Sequence, residues 1–366
     1  MIFCFLKRLI CSKRKQNNDD NEQKQKGGAI RYMKKMNRAM HLALAGCMGV
    51  AMLGTVACGG KERVLILTSS ESYTIDLLTE KINEKFPEYK TVVEYMGTSN
   101  IAAKVCAEKS ACEYDIVFAQ EYGYISKMKE AGAIVDLSAM YDYSVYTDES
   151  LNFTEKDYML PAIKTGGAVV INNYVLTQQG LQKPTSYQDL LDPAYDGLVS
   201  MPSPKSSGTG YMFYLSLVNT WGETQALDYF DNLTDNILAY TSSGSGPINA
   251  LVQREVAVGF GMISQAVEKI TSGNTELEII SFSEGSPYNL YGNCIIKGKE
   301  QRESVKKVMD YLYAEFTDMC CEMYYPEPVL KNKNYQTPNY PQDITYANMN
   351  NNTLENKEYL LEKWNH

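Results

Sequence analysis

From Arg63 onward, short apolar runs alternate with stretches of helical period. Residues 64–67, 91–95 and 114–119 are compact, β-branched or aromatic runs, and they predict strands. Residues 75–86, 101–109 and 123–131 predict the helices that follow them, the first closed by Pro87. A fourth strand is expected at 134–137. This β/α rhythm implies a largely parallel sheet with helices on both faces. Residues 138–160 are irregular and tyrosine-rich. Gly166-Gly167 then introduces a new strand at 168–173, and a second β/α series runs to about residue 281, with a short helix at 186–191. A turn at 283–287 and a strand at 293–296 come next. Residues 304–323 predict one amphipathic helix. Residues 324–352, rich in Pro, Asn and Tyr, predict a segment that wraps the surface, and 354–364 a last helix. No repeat of fixed period is present.

The junctions between strands and helices share a chemistry. Thr68-Ser69-Ser70-Glu71-Ser72, Gly97-Thr98-Ser99, Ser206-Ser207-Gly208-Thr209-Gly210 and Thr241-Ser242-Ser243-Gly244-Ser245-Gly246 each stand where a helix is about to begin. Small hydroxyl and glycine residues suit helix N-caps. They also leave first-turn N–H groups free to meet an anion. One such junction is ordinary capping. Four of them, at the carboxyl ends of strands in α/β sheets, predict one cleft lined by hydroxyls and helix N-termini. The candidate ligand-binding residues are therefore Ser70, Thr98, Ser99, Ser206, Ser207, Gly208, Thr209, Ser243, Gly244 and Ser245. Glu71 and Glu121 are candidates to receive an amine on a zwitterionic ligand, and equally are carboxylates favoured by helix dipoles. Lys205 is either an added positive charge or a solvated side chain.

Composition narrows the function. The 366 residues suffice for roughly two domains. The net charge of −9 hides a split: residues 1–58 are basic, and the remainder stands at −17. That argues against a nucleic-acid partner. Only His41 and His366 are present, so a catalytic Ser-His-Asp triad or a His-rich metal site is not expected in the folded part. No cofactor and no metal is called for.

Residues 1–32 read as a non-structural extension, upstream of a start at Met33 or Met36. Residues 33–57 then form a signal peptide, with a basic start and an apolar stretch from Ala39 to Val56. The same stretch is about as short as a spanning helix can be. Thr55-Val56-Ala57-Cys58 resembles a bacterial lipobox, which makes Cys58 the lipid-bearing residue and 58–62 a linker. Cys106 and Cys112 are close enough to close a small disulfide loop, and Cys294 either pairs with Cys320 or Cys321 or stays free.

Taken in order, Lys205-Ser206-Ser207-Gly208-Thr209-Gly210-Tyr211, Trp221-Gly222-Glu223, Asn236-Ile237, Tyr240-Thr241-Ser242-Ser243-Gly244-Ser245-Gly246-Pro247 and Val256-Ala257-Val258-Gly259 resemble the extracellular solute-binding proteins of ABC importers. The similar branch includes ferric-ion, 2-aminoethylphosphonate and sugar-phosphate binders. The resemblance covers about residues 61–366. It implies an α/β, two-lobed, type II periplasmic-binding-protein-like fold with the ligand cleft between lobes. Lobe 1 is expected at 61–163 plus 284–366 and lobe 2 at 164–283, with hinges near 162–167 and 282–287. It also implies a small-molecule ligand, ABC permease partners, an extracytoplasmic location on the cell membrane and no catalysis. The ferric members' adjacent tyrosine pair is missing from 254–266, and Tyr324-Tyr325 reads as packing. The expected ligand is a small anion, a phosphonate or phosphorylated organic compound. A polyamine or ferric complex, or a sensor role, are the alternatives.

Overall fold

The computed structural model describes residues 60–152 and 156–366. The extension, the signal segment and Cys58 lie outside the described residues. In chain order the elements are β1 (Glu62–Thr68), α1 (Ser72–Lys85), β2 (Tyr89–Tyr95), α2 (Thr98–Glu108), β3 (Ile116–Glu121), α3 (Tyr122–Glu130), β4 (Leu160–Asn172) and α4 (Asn173–Gln179). They continue with β5 (Val199–Pro202), α5 (Gly208–Trp221), α6 (Glu223–Leu233), β6 (Ile237–Thr241), α7 (Gly246–Val252), β7 (Val258–Met262) and α8 (Ile263–Thr271). The last are β8 (Leu277–Ile280), β9 (Tyr288–Ile295), α9 (Glu303–Tyr311), α10 (Thr317–Met323) and α11 (Leu354–Lys363).

The strand order is β2-β1-β3-β9-β4-β7-β5-β6, with β8 also on β4. The outer groups are parallel: β1 with β2 and β3, and β5 with β6 and β7. The centre corrects the expected parallel sheet. There β9 runs antiparallel to both β3 and β4, and β4 antiparallel to β7 and β8. The reason is connectivity. The chain passes from one lobe to the other along β4 and comes back into β9, so the crossing strands lie side by side in opposite directions. β4 pairs with β9 over Leu160 to Gly166 and with β7 over Gly167 to Ile171, so the two lobes join at the glycine pair. A Cβ on Gly167 would stand 2.6 Å from the Met212 methyl and 2.9 Å from the Phe213 ring, so glycine is what lets α5 pack on the crossing strand.

Each lobe shows the two-faced burial its strands encode. Val64 and Ile66 point to a core shared with Leu78, Ile82, Val308 and Met309, whereas Leu65 and Leu67 join Ile101, Val105, Ile125 and Met128 on the other face. In the second lobe Val169 and Ile171 face Phe213, Tyr214 and Phe230, while Ala168 and Val170 face Ile248, Leu251 and Val267.

Several expectations change. Residues 134–137 make a single bridge, Ile134 to Ile296, and no strand. The helix expected over 304–323 is interrupted by a π-helical stretch at Leu312–Phe316. The expected disulfide is not formed: Cys106 and Cys112 are free thiols. The Cys106 thiol is turned toward the Lys127 carbonyl on α3, and Cys112 is sealed in the apolar core of the first lobe. The lobe boundary also shifts at the C-terminus. Leu360 and Trp364 enter the second lobe's core, and the Trp364 ring packs on Tyr214, Phe230 and Tyr240. Tyr340 joins that lobe's other core, so the stretch that follows α10 wraps from the first lobe onto the second.

Candidate functional site

The carboxyl ends of β1, β2, β5, β6 and β7 all open toward one cleft of about 550 Å³. Its floor continues inward into two small recesses that share Glu71 with it. From the first lobe come Ser70, Glu71, Tyr73, Tyr95 and Asn100; from the second come Ser206, Ser243, Ser245, Asn249, Gln265 and Lys269. Thr98, Ser207, Thr209 and Gly244 line the inner recess, with Tyr291 at its end.

The four junctions are thus brought together. Ser99 Oγ donates to the Ser206 carbonyl at 3.4 Å, so the starts of α2 and α5, on opposite lobes, meet across the floor. Gly97, at the N-cap of α2, offers no side-chain cap, which leaves the first-turn N–H groups to other acceptors. Ser207 caps α5 by accepting from Gly210 N at 3.5 Å. A Cβ on Gly210 would approach the Pro202 carbonyl oxygen to 2.3 Å, so only glycine allows α5 to start this close to the end of β5. A Cβ on Gly244 would stand 2.4 Å from Thr209 Oγ1 and 3.3 Å from Ser207 Oγ, so this glycine too is set by contact. Ser243 and Ser245 share a hydrogen bond at 3.2 Å. Ser70 N–H donates to Thr68 Oγ1, whose hydroxyl in turn donates to Ser70 Oγ.

Glu71 stands at the N-cap of α1 without capping it. Burial pushes its carboxyl up to about 7, although the Ser245 hydroxyl and the Lys269 charge pull the other way. Both of those partners come from the second lobe. Tyr73 also reaches over, donating to Ser264 Oγ at 3.4 Å. Gln265 is almost fully buried; its amide N–H₂ reaches the Ser245 carbonyl and Asn249, while its Oε1 has no partner. An unpartnered buried acceptor beside a cleft is a place for a ligand's donor.

Glu121 does not join this set, which corrects its expected role. It is fully buried, 2.5 Å from Lys357 Nζ, and also accepts from Asn289 and Gly123 N–H. A fully buried carboxylate already paired with an internal lysine, and outside the cleft lining, is not open to an incoming amine. Lys205 is exposed and outside the cleft lining. Tyr325 lines an inner recess and is hydrogen-bonded with Thr74 at 2.9 Å, while Tyr324 packs on Tyr73.

The residues that sequence reasoning missed are Tyr73, Tyr95, Asn100, Asn249, Gln265, Lys269 and, in the inner recess, Tyr291. Asn249, Gln265 and Lys269 sit on helices whose other faces are core, and nothing in their local pattern marks them. Asn100, two residues past Thr98 in the first turn of α2, was within reach of the junction argument. Among the described residues, no three His, Cys, Asp or Glu side chains gather to hold a metal ion. No described helix is long and apolar enough to cross a membrane.

The model of one protein family, described as bacterial extracellular solute-binding protein, matches residues 113–357. An uncharacterized protein of Haemophilus influenzae is 26% identical over 336 residues, covering 86% of this chain and 93% of its own. Among solved structures, the periplasmic binding protein AfuA from Actinobacillus pleuropneumoniae, with exogenous fructose-6-phosphate bound, superposes with a TM-score of 0.72 at 24% identity, over 83% of this chain and 98% of that one. The periplasmic binding protein P5PA does so with a TM-score of 0.71 at 23% identity and the same coverage. The fold and the family model agree, and the chain belongs to the bacterial extracellular solute-binding protein family.

Proposed function

We propose that this protein is the lipid-anchored receptor of an ABC importer and captures a small phosphorylated or phosphonate-bearing solute by lobe closure. The observation that carries the reading is the meeting of the α2 and α5 N-termini, one from each lobe, on the cleft floor. Two helix starts, that of α2 without a side-chain cap, and their flanking hydroxyls offer converging donors, which suit a tetrahedral anion. Lys269, ion-paired with Glu268 at 2.9 Å, stands at the outer part of the cleft. There Glu71, Asn249 and the unpartnered Gln265 Oε1 accept hydrogen bonds, so the rest of the solute carries hydroxyl or ammonium donors. The sugar phosphate bound by the AfuA relative has this bipartite character.

Bare ferric ion fits the residues less well. The Tyr73 and Tyr325 hydroxyls are already hydrogen-bonded, with Ser264 and Thr74, and among the described residues no three His, Cys, Asp or Glu side chains gather beside them. Cys58 would carry the lipid, and the permease would dock on the closed form. No turnover is expected of such a receptor.

The test is a thermal-shift and calorimetric screen of inorganic phosphate, sugar phosphates, aminoalkylphosphonates, the matching neutral sugars, spermidine and ferric citrate. Stabilisation by phosphorylated or phosphonate compounds and not by their neutral analogues is expected. Stabilisation by spermidine alone would reverse the polarity of the site. Release of phosphate from the esters would overturn the receptor reading.

A further inference from the structure

The C-terminal helix α11 is attached to both lobes. On the second lobe, Leu360 and Trp364 are core residues, and Lys363 and His366 pair with Glu223 and Asp231 on α6. On the first lobe, Glu358 pairs with Lys127 of α3 at 2.8 Å, and Lys357 reaches Glu121 at the end of β3. Most of these pairs are exposed and contribute little. The Lys357–Glu121 pair is different, because its side chains are 1% and 0% exposed.

Its position matters more than its burial. The Lys357 ammonium lies 3.9 Å from the ring centre of Tyr124 on the first lobe and 4.3 Å from that of Tyr211 on the second. A Cβ on Gly208, the first residue of α5, would stand 3.6 Å from the Glu121 side chain. The pair therefore sits directly behind the α5 N-terminus that forms the cleft floor. Separating α5 from β3 would pull a charged lysine, its helix anchored in the second lobe by Trp364, away from a carboxylate buried in the first.

We infer that Lys357 and Glu121 form a positioning clasp across the lobe interface, which holds the α5 N-terminus in the cleft and favours the closed arrangement before any solute arrives. The clasp rests on the receptor reading for its purpose, but the two fail separately, because lobe spacing is measured without ligand. A solute that fills the cleft then meets donors already in place, and lobe opening requires the pair to part or α11 to detach.

The experiment attaches nitroxides through non-natural residues at the exposed Glu84 and Glu255, one on each lobe, in the detergent-solubilised full chain. Distances are read by pulsed electron resonance without ligand. The wild type is expected to show a short-distance population already without ligand, beside the open form that admits the solute. In the double variant Glu121→Gln with Lys357→Met, which keeps side-chain length and leaves no unpaired charge, the long-distance population should grow at least fivefold while the melting curve stays cooperative. An unchanged distribution in the folded double variant overturns the clasp and leaves the pair a purely structural contact. Should the double variant not fold, hydrogen exchange on the wild type decides. Amides of 357–361 and of 208–211 are expected to exchange through the same opening, at rates within about threefold of each other. Rapid exchange of α11 with α5 still protected would also overturn it.

Discussion

Replacing Glu71 by glutamine isolates the electrostatics of the cleft. The Glu71 carboxyl has an ordinary value of 4.5 and is raised to about 7, with burial as the main cause. Between those two values the folded protein keeps a proton that the unfolded chain has released. The folded state thus binds more protons, and stability falls as pH rises from 4.5 to 7, then levels off. At about 1.4 kcal/mol per pH unit, the interval corresponds to roughly 3 kcal/mol, an upper figure because the side chain retains some contact with water. Glu71→Gln keeps the shape and a partner for Ser245 but carries no charge. The variant should match the wild type near pH 4.5 and exceed it by up to ~3 kcal/mol at pH 8. For the compact unit Lys61–His366, an unfolding entropy of about 2.1 cal/mol/K per residue turns that into a Tm about 5 °C higher. Scanning calorimetry of both proteins from pH 4.5 to 8 measures it, and the difference between the curves removes every other titrating group. A difference that stays flat across that range, or a variant less stable at pH 8, would refute the burial argument.

Other expectations follow from the same geometry. A solute anion seated near Glu71 raises its proton affinity further. Calorimetry in buffers of different ionisation enthalpy should therefore show more proton uptake on binding at pH 7 in the wild type than in Glu71→Gln; proton release in that comparison would place a cation there instead. Ser99→Ala and Ser207→Ala each remove one hydroxyl, at about 1 kcal/mol, so titration should show roughly fivefold weaker binding with little change in Tm; full affinity in both would remove the α2–α5 floor from the site. Gly244→Ala forces Thr209 and Ser207 to move and should weaken binding more than either serine change, with circular dichroism unaltered. Trp364→Ala takes the largest fully buried side chain out of the second lobe's core and should cost about 3–5 kcal/mol in chemical denaturation, whereas a merely peripheral C-terminus would show almost none.

Local chemistry alone determined a good deal here. The period-two faces of 64–67 and the Ser/Gly junctions depend on neighbours a few residues away, so the chain reports them directly, although the helices begin at Ser72, Thr98, Gly208 and Gly246, inside the junctions rather than after them. Their meeting in one cleft was not encoded locally: the parallel groups of the two lobes run in opposite directions, and their carboxyl ends face each other only because the lobes are offset along β4. What only the tertiary structure decided depends on distant partners. The antiparallel middle of the sheet follows from two crossings between lobes, which no local pattern encodes. Gln265 and Lys269 face the cleft because α8 packs where it does, and their spacing is that of any amphipathic helix. Cys106 and Cys112 are neighbours in sequence, but their surroundings send the thiols apart. Glu121 looks from the sequence like a free carboxylate at a helix start. Its partner, Lys357, lies 236 residues away, and only the folding of α11 back across both lobes brings the two charges together and takes Glu121 out of the binding site.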